Sequence, residues 1–137
     1  MRFPTLVRDG RQRPIVAVSI LLPGQPAVLF DALLDTGADI TLFPKSIADR
    51  LAINLEAEPV ASVFAAVGGM CQYRLHSVEL ELRRAPDVFR WKASVGFVER
   101  EMSFGILGTR GFMEFFDLAY SASDKAMSIL PAGELFG

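Results

Sequence analysis

Cysteine and histidine are almost missing from this chain, with one of each, Cys71 and His76, in 137 residues. A lone cysteine excludes an internal disulfide, and one cysteine with one histidine cannot assemble a metal cage. No metal or cofactor is therefore expected, and both residues read as ordinary strand positions. A Ser-His-Asp or Cys-His hydrolase would have to use His76, and nothing near it in the sequence suggests an activated nucleophile. Excess positive charge is missing too. Fourteen Lys and Arg stand against sixteen Asp and Glu, a formal net charge of -2, and the cations are scattered. Phosphate binding needs clustered cations, so nucleic acid is not expected as a partner. No apolar run is long enough to cross a bilayer, and the opening "MRFPTLVRDGRQRP" lacks the apolar centre of a signal peptide. No membrane partner is expected, and the default is a soluble cytoplasmic protein.

What is present is a core. Half of the residues are hydrophobic and the charged fraction is ordinary, so the chain reads as globular, one domain spanning 1–137. Helical periodicity is scarce and strand periodicity common. "PIVAVSILL" (Pro14 to Leu22) is rich in β-branched residues, breaks at Pro23-Gly24-Gln25-Pro26, and resumes as "AVLFDALL", a predicted hairpin. One short helix is predicted after Pro44, with Ile47 and Leu51 a turn apart. The Gly68-Gly69 pair between two strand-like arms predicts a second hairpin. In its second arm Cys71, Tyr73 and Leu75 share one face, yet the apolar set continues at Val78, Leu80 and Leu82. Side chains on a strand alternate strictly, so a bend or bulge is expected near His76-Ser77. "VFRWKASVGFV" alternates through Phe89, Trp91, Ala93, Val95 and Phe97. The end of the chain predicts a tight turn "GILGTRG", a short helix "FMEFF", and a final hairpin through Ser123-Asp124-Lys125. The result is a mostly β domain with no linker or repeat.

Within it, "LLDTGADITLFP" (Leu33 to Pro44) ends an apolar run on an aspartate. A carboxylate there must be solvated, paired or protonated, because burying it as an isolated charge costs too much. The simplest reading is a turn after a strand, with Asp35 accepting backbone N–H bonds and Gly37 supplying a permissive backbone. Downstream, "FGILGTRGFMEFF" repeats the pattern of apolar residues running into a glycine turn, and the glycine-tipped hairpin lies between the two.

That set resembles the retroviral-type, or retropepsin-like, aspartic protease family in its cellular and bacterial single-domain form. The family's signature is an apolar pair, Asp-Thr/Ser-Gly-Ala, a flap hairpin, and a later Ile-Leu-Gly segment. Here these are Leu33-Leu34-Asp35-Thr36-Gly37-Ala38, Val67-Gly68-Gly69-Met70 and Ile106-Leu107-Gly108, in order over roughly Ile15 to Leu130. The resemblance implies a closed, barrel-like acid protease fold with a flap hairpin and one or two short helices. It implies that Asp35 is the catalytic aspartate, that the Thr36 hydroxyl braces the turn across a dimer, and that Gly37 lets the turn close. Ala38 and Asp39 fall where family members touch the substrate backbone, and Val67, Gly68 and Gly69 where the flap covers a bound peptide. Viral members place an arginine directly after the Ile-Leu-Gly glycine, paired with an aspartate at the position of Asp39. Here that position is Thr109, and the arginine is Arg110.

Hydrolysing an amide without a metal, Cys or Ser nucleophile needs a general base for water and a general acid for the substrate, and two adjacent carboxyls can share one proton to do both. This chain has one Asp-Thr-Gly, and the Gly108 turn carries Thr109-Arg110 in place of an aspartate. Half a site per chain implies a two-fold homodimer acting on peptide or protein substrates, with "MSILPAGELFG" (Met127 to Gly137) an expected interchain contact. A second class stays open, a dimeric peptide-binding or assembly module that keeps the fold without hydrolysis. An unrelated β-barrel would have to explain the flap and the Ile-Leu-Gly segment separately.

Overall fold

The two β-branched runs form a hairpin. Strand β4 (Ile15–Leu21) and strand β5 (Val28–Leu34) pair antiparallel from Ile15↔Leu33 to Ile20↔Val28. The computed structural model describes residues 1–65 and 69–133, with residues 62–65, 69 and 70 described by their backbone alone. Val67 and Gly68, the expected tip of the second hairpin, and Glu134 to Gly137 lie outside the described residues.

Three strands precede β4. Strand β1 (Arg2–Pro4) pairs with a C-terminal strand, while β2 (Leu6–Arg8) and β3 (Arg11–Arg13) make a small hairpin of their own. The two residues between them, Asp9 (φ 52°) and Gly10 (φ 73°), both have the positive φ of a tight primed turn. The Asp-Gly dipeptide carries that signal, and the sequence reading passed over it. After β5 come β6 (Leu42–Pro44), helix α1 (Lys45–Arg50), a 3-10 turn (Leu55–Ala57), β7 (Val60–Ala65), β8 (Gly69–Arg84), β9 (Asp87–Val98) and β10 (Gly105–Leu107). Strands β11 (Phe116–Ser121) and β12 (Ala126–Pro131) complete the chain.

The strand order β4-β5-β10-β6-β9-β8 closes on itself through β4–β8 pairing at Val18↔Leu82 to Leu21↔Glu79, giving a six-stranded barrel. Its interior takes the inward set of each strand: Val16, Val18 and Ile20, then Ala32 and Leu34, then Phe43, then Leu80 and Leu82, then Ala93, Val95 and Phe97. Each fully buried Phe or Leu contributes roughly 1.5–3 kcal/mol. Helix α1 closes one end with Ile47 and Ala48.

Three expectations of secondary structure fail. There is no bulge at His76-Ser77. β8 pairs with β9 in one unbroken register from Tyr73↔Val98 to Arg84↔Asp87. The apolar set changes face because the strand serves two cores. Val78, Leu80 and Leu82 fill the barrel, whereas Cys71, Tyr73 and Leu75 pack on the other side against Ile40, Leu42 and Val98. Nor is "FMEFF" a helix. Gly111 has φ 96°, its N–H is taken by the Glu114 carboxylate, and the wide bonds Met113 N–H to Gly108 O and Glu114 N–H to Thr109 O make a turn. Phe112 and Phe116 have helical spacing because both meet Trp91, at ring centroids 5.9 and 4.7 Å away. "GIL" likewise is strand β10 and not part of the turn.

The C-terminal strand is also less available than expected. β12 lies between β1 and β11, so both its edges are paired within the chain. Among the described residues, interchain backbone pairing is therefore open to β1 and β11, and both edges of β12 are taken only from Ala126 to Ile129.

Outside the barrel, Glu81 of β8 lies opposite Arg90 of β9 in register and is only 8% exposed. Arg90 Nε donates to one carboxylate oxygen at 2.5 Å and Arg83 to the other at 3.4 Å. The Arg90 hydrogen bond holds the Glu81 carboxyl below its usual range against the opposing effect of burial. A carboxyl depressed in the folded state stabilises fully above its unfolded value, and that contribution fades as pH falls through the folded value. Glu81→Gln should therefore flatten the acid limb of the stability–pH curve and lower stability at neutral pH. Urea midpoints recorded at pH 7 and at intervals below pH 5 check this. An acid limb as steep as that of wild type would assign the dependence to other carboxyls.

Candidate active site

Asp35 is the first residue after β5. Alternation along β5 puts Ala32 and Leu34 inside the barrel and Leu33 and Asp35 on the opposite face. The apolar run thus does not drag the carboxylate into the core, and Asp35 is half-buried at the end of the barrel. Its own N–H donates to the Leu107 carbonyl at 3.1 Å, which continues the parallel pairing of β5 with β10. Its carbonyl accepts Ala38 N–H at 3.1 Å, and its Oδ1 accepts Gly37 N–H at 2.9 Å. The turn is closed from both its backbone and its side chain.

Gly37 is needed for space and not for a left-handed backbone, which corrects the reading of it as conformationally permissive. Among the described residues the glycines with positive φ are Gly10, Gly24 and Gly111, and a Cβ on Gly37 would lie 3.3 Å from Asp35 Oδ1, a tight contact. Thr36 is exposed at the tip of the turn, and no hydrogen bond from its hydroxyl occurs among the described residues. Ala38 and Asp39 lie against the Gly108 turn, where Thr109 N–H donates to the Ala38 carbonyl at 2.9 Å and Arg110 N–H to the Asp39 carbonyl at 3.0 Å. Asp39 and Arg110 are therefore neighbours, but through the backbone. Both side chains are exposed, and among the described residues no ion pair joins them. A main-chain clamp stands where the viral pattern has an arginine–aspartate pair.

Gly108 makes the clamp possible. A Cβ on it would fall 2.5 Å from the Ile40 carbonyl oxygen and 2.8 Å from that of Ala38. Only a residue without a side chain lets the two loops touch. Of the three flap positions, Val67 and Gly68 are outside the described residues, and Gly69 pairs with Ala65 across β7 and β8. The base of that hairpin brings β8 over the face that Asp35 occupies.

The sequence reading missed the apolar wall beside the aspartate. Ile106 pairs with both Leu33 and Leu42, and so shares a face with Asp35. Around it gather Ile40, Leu42, Val98, Cys71, Tyr73 and Met102. Gly96 belongs to this wall as well, since a Cβ there would lie 2.7 Å from Leu42 Cδ2 and 2.9 Å from Tyr73 Cδ2. The signal was present in the phase change of β8, which marks a second packed face and not a bulge. Among the described residues no cluster of His, Cys, Asp or Glu could hold a metal ion, and no helix is long and apolar enough to cross a membrane.

Comparison with known proteins supports the geometry. The structure is similar to the crystal structure of a retropepsin-like aspartic protease from Rickettsia conorii, with a TM-score of 0.65 and 16% identity over 95% of this chain and 97% of that one. It is also similar to the retroviral protease-like domain of Ddi1 from Leishmania major, with a TM-score of 0.51 and 16% identity over 84% and 87% of the two chains. No curated protein matches the sequence. The sequence profile of the aspartyl protease family matches residues 18–110, from within β4 to the end of the Gly108 turn. This chain belongs to the aspartyl protease family and has the retropepsin-like fold.

Proposed function

We propose that this protein is a homodimeric aspartic endopeptidase, each subunit one domain of 137 residues, with the cytoplasm as its compartment on composition alone. One observation carries the reading: a single half-buried Asp35, anchored through its backbone at the barrel end, faces outward beside an apolar wall. An outward carboxylate with no cation on it among the described residues suits a site completed by a second copy. In a two-fold dimer the two Asp35 carboxyls meet and share one proton. The ionised carboxyl takes a proton from water, whose oxygen bonds to the scissile carbonyl carbon. The protonated carboxyl then gives its proton to the carbonyl oxygen. The first carboxyl, now protonated, gives that proton to the amide nitrogen while the other takes one from the gem-diol, and the C–N bond breaks to leave an acid and an amine.

The remaining roles are those that the family resemblance implies. Thr36, exposed at the turn tip and unpartnered within the described chain, braces the partner's turn. Gly37 leaves room for the carboxylate. Ala38 and Asp39 hold the backbone of an extended substrate, and Val67, Gly68 and Gly69 cover it. Added-strand binding draws much of its affinity from backbone hydrogen bonds, and the wall around Ile106, Leu42 and Tyr73 favours apolar side chains at the scissile bond.

The alternative, a peptide-binding module without hydrolysis, has the missing Asp39–Arg110 ion pair on its side. Sedimentation and peptide-library digestion over a dilution series separate the two. A dimer whose specific activity falls as it dissociates is the expected result. Undiminished cleavage by a monomer would refute the half-site, and a dimer that binds peptides but leaves them whole would establish the module.

A further inference from the structure

Among the described residues three buried side chains are polar or charged, Thr5, Thr41 and Glu81. Thr5 is answered by Gln12 and the Lys125 carbonyl, and Glu81 by Arg90. Thr41 has no solvent exposure, and its hydroxyl lies between the two loops of the candidate site. Its Oγ1 accepts Gly108 N–H at 3.1 Å. That N–H belongs to the Leu107–Gly108 peptide unit, whose carbonyl accepts Asp35 N–H at 3.1 Å. A peptide unit is a rigid plane. A hydroxyl that anchors one edge of it therefore sets the direction of the carbonyl on the other edge. Donating its N–H also polarises the unit and strengthens its carbonyl as an acceptor.

We propose that Thr41 is a positioning residue for Asp35, acting through the Leu107–Gly108 peptide plane. The inference rests on the reading of Asp35 as the catalytic carboxylate. Thr41 is itself fixed from three sides. Its N–H donates to the Arg110 carbonyl at 3.0 Å, its carbonyl accepts Gly96 N–H at 2.8 Å, and a Cβ on Gly111 would lie 3.1 Å from its own Cβ. The hydroxyl cannot drift, so the plane it holds cannot tilt. With no Asp39–Arg110 ion pair joining the loops, this is the side-chain contact that ties the Asp35 strand end to the Gly108 turn. Two carboxyls that must meet across a dimer axis tolerate little error, since a misplacement of about 1 Å costs on the order of a hundredfold in rate.

Thr41→Val keeps the shape and removes the hydroxyl, whereas Thr41→Ser keeps the hydroxyl and removes the methyl. In cleavage of a library-derived peptide by the full-length dimer, Val should lower kcat by about tenfold or more with KM within about twofold. Ser should stay near wild type. Amide exchange gives a readout apart from activity. In wild type the Gly108 and Asp35 amides should be protected together, and in Val both should quicken while the Leu80 and Val95 amides of the barrel do not. An unchanged kcat in Val overturns the proposal. So does a Ser variant as impaired as Val, which would assign the effect to the methyl, or a quickened Gly108 amide beside an unchanged Asp35. If the Val chain fails to fold, wild-type exchange decides, and a fast Gly108 amide overturns the proposal while joint protection sustains it. An inactive wild type would sink the protease reading and leave the exchange result to judge the peptide plane on its own.

Discussion

On the proposed reading, Asp35→Asn is expected to abolish peptide hydrolysis while leaving the fold and the sedimentation behaviour as in wild type. Asparagine keeps the size of aspartate, and its Oδ1 can still accept the Gly37 N–H bond that closes the turn. The backbone bonds from Asp35 N–H to Leu107 and from Ala38 N–H to Asp35 do not involve the side chain. Stability should therefore stay within about 1 kcal/mol of wild type, since the turn-closing bond keeps an acceptor and only its charge is lost. What is lost is the ability to take a proton from water or deliver one, and general acid–base chemistry of this kind is worth roughly 10^2 to 10^4 in rate. Turnover of a fluorogenic peptide should fall to background, with urea midpoint and sedimentation unchanged. An Asn variant that still cleaves would move the chemistry elsewhere, and one that unfolds would make Asp35 a structural turn residue.

The second large effect is on stability. Gly108→Ala should destabilise the protein by about 3 kcal/mol, at the upper end of what overpacking costs, and lower Tm by roughly 10 °C. The added carbon has nowhere to go, since both carbonyl oxygens it would meet are backbone. Flexible side chains can swing aside, but these oxygens can move only if the loops part. Parting them breaks the Thr109–Ala38 and Arg110–Asp39 bonds. Gly133, where a Cβ would meet nothing within 4 Å, supplies the control, and Gly133→Ala should be nearly silent. A Gly108→Ala chain as stable as wild type would mean that the clamp is looser than its distances imply. Asp35→Asn and Gly108→Ala thus pull apart chemistry and architecture within one small region.

Much of this protein is legible in its residues without any coordinates. Period-2 alternation marks β4, β5 and β9, because strands bury every second side chain, and those three supply half of the barrel. The helix after Pro44 and the final hairpin are readable for similarly local reasons, and Asp-Thr-Gly with Ile-Leu-Gly points to the family that the profile match establishes. The missed Asp9-Gly10 hairpin belongs with these, since its signal is two adjacent residues. Other features depend on what lies across the fold. Phe112 and Phe116 have helical spacing, yet Gly111 at positive φ and the Trp91 ring hold the segment in a turn. The faces of β8 diverge because a second core, assembled from Ile40, Leu42, Val98 and Ile106, waits on its far side. Thr41 and Gly108 look like ordinary small residues until two loops 67 positions apart come together around them. Sequence alone determined the longer strands of the barrel and where the aspartate lies, because alternation and turns are local energies. Only the tertiary structure decided which face each strand presents and what holds Asp35, because those depend on contacts between residues far apart in the chain.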